Sequence, residues 1–112
     1  MGATQQVILT TTVLANAALA QQRFVGADNA PCKAGAAALG VAEVDGAAGD
    51  AVPVNVLGIF VVEAGAAIGR GMSVQSDESA RAVLLTETGV SNGIALDAAL
   101  ADGDIIRILR GV

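Results

Sequence analysis

The chain repeats one pattern twice, and this repeat constrains its fold more than any other feature. Gly-Val-Ala at residues 40–42 leads through an alanine-rich, acidic stretch to Gly49-Asp50 and a strand-like segment. Gly-Ile-Ala at residues 93–95 leads in the same way to Gly103-Asp104; the first glycines lie 53 residues apart and the Gly-Asp pairs 54 apart. Two copies of a strand–turn–strand unit predict a small duplicated β scaffold that closes on itself, because a stacked solenoid needs about three repeats or more.

The similarity extends upstream of both units. Residues 23–28 precede the first unit and residues 72–77 precede the second, at an offset of 49. The internal repeat therefore covers about residues 19–58 and 68–111, and we expect both copies within a single β domain over residues 16–112. We expect residues 1–15 to form an N-terminal extended arm, because the arm starts with small polar residues and continues with β-branched ones.

Turn and strand signals predict a mainly β fold for the rest of the chain. Short strands at spacings of about 8–15 residues, separated by Gly and Asp, favour a small β-barrel or sandwich with at most short helices. Alternating valines around Pro53 predict a half-buried strand at a sheet edge, since proline cannot donate to a ladder. Gly58 predicts a bend or bulge in that segment. Residues 16–22 fit a helical turn or a loop.

Composition limits the class of protein. Of the 112 residues, 54% are hydrophobic and 2% are aromatic, and the formal net charge is −5. The six basic residues are mostly scattered, which argues against binding to DNA, RNA or an anionic membrane surface. A mean hydropathy of +0.63 in so small a domain indicates that a partner covers part of the apolar surface. The simplest such partner is another copy of the chain.

Cys32 is the only cysteine, so no intramolecular disulfide is possible and a reducing compartment is indicated. Because the chain has no His to activate its thiol, we expect Cys32 to be a small apolar residue or an unused surface thiol. No Lys or Arg precedes Arg23, which argues against a signal peptide. No apolar run approaches the roughly 20 residues of a membrane-spanning helix.

The residues that usually carry catalysis are missing. Without His, Tyr or Trp, a Ser-His-Asp triad, a Cys-His pair and a His-bearing metal site are all excluded. Asp102-Gly103-Asp104 is only a fragment of a calcium loop, and aspartate beside glycine is typical of turns. The glycines of residues 65–71 lack the Gly-Lys-Ser/Thr ending of a phosphate loop. We therefore expect no enzyme activity, no cofactor and no metal.

Arg107 and Arg110 lie in or beside the last predicted strand. Such arginines are usually solvated or paired with a carboxylate. Arginine is also enriched in protein interfaces, so we keep the hypothesis that both anchor a contact with another protein.

Several of these segments, in this order, resemble the capsid cement, or head decoration, proteins of tailed bacteriophages. The similar segments are residues 40–42 followed by Gly49-Asp50, residues 58–60, residues 71–74, residues 93–99 and residues 102–109. The resemblance covers about residues 19–112. It implies a small β-barrel-like fold, often called a β-tulip, with an N-terminal arm.

The resemblance also implies a function and partners. Such proteins bind the outside of the expanded head and clamp neighbouring major capsid subunits, often as homotrimers. A protein of this kind is made in the cytoplasm of the host bacterium and becomes part of the virion exterior. The family offers no catalytic residues to carry over.

The arm supplies the predicted capsid-binding residues, because an extended segment can add a strand to an exposed sheet edge. These residues are Thr4, Gln5, Gln6, Val7, Ile8, Leu9, Thr10, Thr11 and Thr12. A non-catalytic β-barrel module that binds a ligand or a carbohydrate is the alternative function. The scarcity of aromatic residues argues against it, because sugar sites usually use Trp or Tyr platforms. An aspartate-based hydrolase is a third reading, disfavoured because no carboxylate pair lies outside a turn.

Overall fold

A computed structural model describes residues 5–111 as eight β-strands, with no helix among those residues. The strands are β1 Gln6–Leu14, β2 Phe24–Gly26, β3 Ala38–Ala42, β4 Ala51–Glu63, β5 Ser73–Ser76, β6 Ala82–Leu84, β7 Gly93–Ala95 and β8 Ile105–Arg110. β-branched residues supply much of the longer strands, and Gly, Asp and Ser supply the connections. The predicted all-β fold is confirmed.

All named strands pair antiparallel in one sheet with the order β2-β3-β4-β8-β7-β5-β6, and β1 pairs with β4 beside this path. The two ends of the sheet approach each other. The Phe24 N–H donates to the Ala80 carbonyl at 2.7 Å, and the Gly35 N–H donates to the Ser76 carbonyl at 2.9 Å. These bonds make the sheet a nearly closed barrel, which leaves few unpaired edges.

β4 lies inside the sheet, so the prediction that this segment forms an edge strand is wrong. β4 pairs with β1, β3 and β8 along its 13 residues. Pro53 is tolerated because it faces the point where β3 has just ended. Its carbonyl accepts the N–H of Glu43 at 3.0 Å, and no further donor is needed there.

The irregularity predicted at Gly58 lies in the pairing of β1 with β4. The register skips Ile8 on β1 and then Val56 on β4, so each strand carries one extra residue. Gly58 has φ of 113°, and a side chain there would collide with the β1 backbone at Gln6. Only glycine lets the two strands approach so closely while β4 adopts this conformation.

The two strand–turn–strand units are built with the same hydrogen bonds. Leu19 and Gly46 exchange two backbone bonds of 2.8 and 2.9 Å; in the second half, Ile68 and Ala99 exchange bonds of 3.0 and 2.9 Å. Residues 16–22 consist of bends and turns around the isolated bridge from Leu19 to Gly46, so they form the loop of the two predicted alternatives.

The core is duplicated in the same way. Six buried residues form a cluster in the first half: Ala15, Leu19, Val25, Ala42, Val52 and Val54. The residues at the matching positions of the second half all lie in the larger cluster: Ala64, Ile68, Val74, Ala95, Ile106 and Ile108. Each half therefore buries aliphatic side chains at the same six positions, and hydrophobic burial holds both halves in the same way.

The larger cluster also contains both aromatic residues and the cysteine. Phe24 and Phe60 are buried, and Cys32 lies among aliphatic side chains. Burial raises the pKa of the Cys32 thiol, which makes the reactive thiolate scarcer. Cys32 is therefore a small apolar residue of the core, which was the first of the two predictions for it.

Candidate functional site

The aspartates that might have formed a chemical site hold turns together. The Asp50 carboxylate accepts the N–H of Ala47 at 2.9 Å, and the Asp104 carboxylate accepts the N–H of Leu100 at 2.8 Å. Residues 5–111 contain no group of three or more Cys, Asp or Glu side chains placed to hold a metal ion. The residues predicted to bind a partner define a candidate site at the surface, and its features are exposure, strand edges and apolar side chains.

β1 is the most exposed strand of the described chain, and it carries most of the residues predicted to bind the capsid. Residues 6–10 are all exposed, and Ile8 has 82% of its surface accessible. Thr4, the first residue of that prediction, lies outside the described residues. β1 lies on β4 as a paired strand, so the segment is extended, as predicted, but is anchored to the barrel.

The anchoring of β1 includes side-chain bonds at two points. The Thr10 hydroxyl donates to the side-chain carbonyl of Asn55 at 2.9 Å, and Asn55 in turn donates to the Glu43 carboxylate. Just before β1, the Gln5 side-chain carbonyl accepts the N–H of Val61 at 3.1 Å. Because Asn55 is only 3% exposed, the Thr10 bond satisfies a buried polar group and fixes the register of β1.

The outer edge of β1 is open. Ala15, which follows β1, bonds to the two residues that precede β4: its N–H donates to the Asp50 carbonyl at 2.9 Å, and its carbonyl accepts the N–H of Gly49 at 2.7 Å. Since backbone groups alternate along a strand, the N–H and carbonyl of Leu14 and of Thr12 point away from β4. Among residues 5–111, no strand other than β4 pairs with β1. This edge offers backbone donors and acceptors to an added strand.

Arg107 forms a two-pronged ion pair with Asp97. The distances are 3.0 Å from Nε to Oδ2 and 2.9 Å from Nη2 to Oδ1, and the Arg107 N–H also donates to the same carboxylate at 3.0 Å. These bonds to Arg107 lower the pKa of Asp97 from 3.8 to about 2. The pair ties β8 to the turn after β7, ten residues earlier in the chain.

Arg110 uses its guanidinium to bridge backbone segments. Its Nε donates to the Val56 carbonyl at 3.0 Å, its Nη1 to Asn92 at 3.1 Å and its Nη2 to Ala38 at 3.0 Å. The Val56 carbonyl belongs to the extra residue of β4, which the irregular pairing takes out of register. Both predicted arginines thus have partners within the chain, and their contact with an oligomer partner or a capsid stays a prediction.

A second exposed apolar surface was missed by the sequence reasoning. We call Met72, Leu84 and Leu85 the Met72 patch; their exposed fractions are 50%, 41% and 39%. They line a shallow depression of about 440 Å³ at the β5–β6 end of the sheet. The paired leucines at 84–85 were the available signal, because strict alternation would have made one of them polar.

The chain was compared with known proteins. The model of the phage cement protein family matches residues 3–110. Among solved structures, the crystal structure of the N base of head fiber gp8.5 of bacteriophage phi29 matches with a TM-score of 0.73 and 22% sequence identity. This match covers 90% of the present chain and 92% of the other, and at that identity it shows a shared fold. No curated protein matches the sequence. No helix of residues 5–111 is long and apolar enough to cross a membrane.

Proposed function

We propose a function from the premise that this chain belongs to the phage cement protein family, a family of structural proteins associated with the phage capsid. The protein binds the outside of the phage head and holds neighbouring major capsid subunits together. The family match over residues 3–110 is the observation that carries this proposal. The shared fold with a phi29 head fiber base supports it. The protein would act in the virion, after synthesis in the host cytoplasm.

Stabilisation of the shell needs no chemical step. A protein that binds only the assembled lattice shifts the equilibrium toward that lattice by mass action. Many copies on a symmetric shell convert modest contacts into strong overall retention. A homotrimer would contact several capsid subunits at once. The net charge of −5 disfavours binding to the packaged genome.

The exposed part of β1 is the surface that fits the capsid contact best. It combines an open strand edge with the accessible side chains of Val7, Ile8 and Leu9, which are apolar. Backbone bonds to an added strand would supply affinity, and alternate side chains would supply specificity. Capsid binding by residues 4–12 therefore needs no release of β1 from β4.

The alternative function as a carbohydrate-binding module gains no support. The sequence contains two aromatic residues, Phe24 and Phe60, and both are buried. No aromatic ring of the chain is therefore available at the surface to stack on a sugar.

Co-sedimentation with purified expanded heads that lack this protein tests the proposal. We expect the wild-type chain to pellet with the heads and to raise the temperature at which filled heads release DNA. Failure of the wild-type chain to pellet would overturn the proposal.

The β1 assignment has its own variants. Deletion of residues 1–12 and Ile8→Asp should each reduce binding at least about tenfold, whereas Leu100→Asp, at a side chain 87% exposed elsewhere, should bind normally. Thr12→Pro removes one outward N–H and leaves the bonds to β4, so it should also weaken binding if a strand is added. Normal binding by the deletion variant would refute the β1 assignment and leave the family function intact.

A further inference from the structure

The internal duplication shows how one copy of this fold joins to the next. Backbone bonds set the correspondence between the halves. The Arg23 carbonyl accepts the N–H of Ala42 at 3.1 Å, and the Met72 carbonyl accepts the N–H of Ala95 at 2.9 Å, so Arg23 and Met72 occupy matching positions.

The other side of the joint has a matching pair as well. Leu14, at the end of β1, pairs with Ala51, the first residue of β4. Glu63, at the end of β4, pairs with Ile105, the first residue of β8. Leu14 in the first half therefore corresponds to Glu63 in the second half.

Inside the chain, these positions touch across the joint between the halves. The Glu63 N–H donates to the Gln22 carbonyl at 2.7 Å, and the Glu63 carboxylate lies 3.4 Å from the Arg23 guanidinium. The counterparts at the two outer ends, Leu14 and Met72, are instead apolar and exposed, at 66% and 50%. The ion pair of the internal joint is thus replaced by two hydrophobic side chains, one at each free end.

From this correspondence we infer that copies of the chain associate head to tail, with the Met72 patch of one copy packed on Leu14, the last residue of β1, in the next. This repeats the internal joint between two molecules. The backbone supports the arrangement: the Leu14 N–H points away from β4, and the Gly71 carbonyl, which corresponds to that of Gln22, accepts no hydrogen bond among residues 5–111. One intermolecular bond would join these two groups.

The head-to-tail arrangement covers two exposed apolar surfaces at once. Leu14 and the Met72 patch are apolar areas on different parts of one molecule, and a head-to-tail contact covers both. Such heterologous contacts generate closed rings when the rotation between copies allows closure. The inference rests on the proposed function and names the contact surface of its homotrimer. Residues 4–12 remain free for the capsid.

Rebuilding the internal ion pair between molecules tests the inference. We expect Leu14→Glu alone and Met72→Arg alone each to weaken self-association in sedimentation equilibrium at least about tenfold, because each places a charge against an apolar surface. The double variant should recover most of the loss, since it recreates the Arg23–Glu63 pair across the contact. Leu100→Glu is the matched control at a site outside the contact and should associate as the wild type does.

Cysteine cross-linking tests the direction of the contact. Leu14→Cys and Met72→Cys chains, mixed and mildly oxidised, should give a cross-linked dimer, whereas a mixture of Leu14→Cys with Leu100→Cys should not. The wild-type Cys32 is only 2% exposed and should not interfere. Efficient cross-linking of either single variant with itself would indicate a symmetric contact and overturn the inference.

A wild-type chain that stays monomeric up to about 1 mM would also overturn it. Capsid co-sedimentation separates the two proposals. Normal binding to heads with no head-to-tail contact refutes only this inference, and the reverse result refutes only the proposed capsid function.

Discussion

At the scale of single residues, the duplicated halves provide matched comparisons inside one chain. Gln22 and Gly71 occupy the same position, since the N–H of each donates to a matching alanine carbonyl, Ala42 at 2.9 Å and Ala95 at 2.7 Å. Both have left-handed backbones, with φ of 65° for Gln22 and 86° for Gly71. The first half therefore accepts a strain that glycine avoids in the second.

Substitution at these two positions should have opposite consequences. Gly71→Gln should destabilise the protein by about 1 kcal/mol, because the left-handed conformation costs a side-chain residue more than the reduced unfolded-state entropy returns. For the same reason Gln22→Gly should be neutral or stabilising by up to about 1 kcal/mol. Urea unfolding of both variants measures this. A loss of stability in Gln22→Gly would contradict the strain argument.

Asp97 makes the stability of the protein depend on pH in the acid range. Its bonds to Arg107 hold the carboxyl pKa at about 2 in the folded chain, below the ordinary 3.8. A lowered folded-state pKa stabilises the fold above the unfolded value, and this contribution disappears as pH falls from about 3.8 through about 2. Because the two side chains are 25% and 32% exposed, water screens the pair and the contribution is modest.

We expect Asp97→Asn to lower the urea midpoint at pH 5 and to differ much less from the wild type near pH 2. Asp102→Asn is the control, since Asp102 is an exposed turn residue. Equal losses for Asp97→Asn at both pH values would show that the amide change, and not the ionised carboxylate, causes the effect.

At the scale of elements, β4 organises the molecule. Its first part pairs with β1 and β3, and its second part pairs with β8, so one strand serves both halves of the repeat. The extra residues at Ile8 and Val56 interrupt the β1 ladder. Arg110 compensates at Val56 by donating to the carbonyl that the ladder leaves out.

Removal of the Arg110 bridge should be costly. Arg110→Ala leaves the carbonyls of Val56, Asn92 and Ala38 without this donor, and we expect a loss of about 2–4 kcal/mol. Arg110→Lys should recover little, because an ammonium group lacks the planar set of donors that reaches all three. Thermal unfolding checks both variants against Arg70→Ala, an exposed arginine. A lysine variant as stable as the wild type would contradict the bridging role.

At the scale of the whole molecule, the open strand edge and the exposed apolar patch lie where binding is proposed. The barrel closes its two ends through β2, β5 and their flanking turns, so the open edge of β1 is the conspicuous unpaired edge of the described chain. The Met72 patch lies at the other end of the internal repeat. One surface for the capsid and one joint between copies would together give a clamp that multiplies its contacts on a shell.

Much of the fold was predictable from local patterns. β-branched segments and Gly-Asp turns specify strands and their connections through backbone preference and turn chemistry, which act over a few residues. The repeat was visible because both halves need the same turns: Asp50 and Asp104 hold equivalent corners. The exposed β1 residues were also singled out from the sequence, although not their pairing with β4.

The sequence by itself determined the β class, the duplicated units and the absence of His-based chemistry, because these depend on residue type and short-range order. Only the tertiary structure decided that β4 is internal, that Arg110 reaches carbonyls up to 72 residues away, and that Leu14 and Met72 are the exposed counterparts of an internal ion pair. These features depend on contacts between segments distant along the chain, and side-chain periodicity contains no information about which strands will meet.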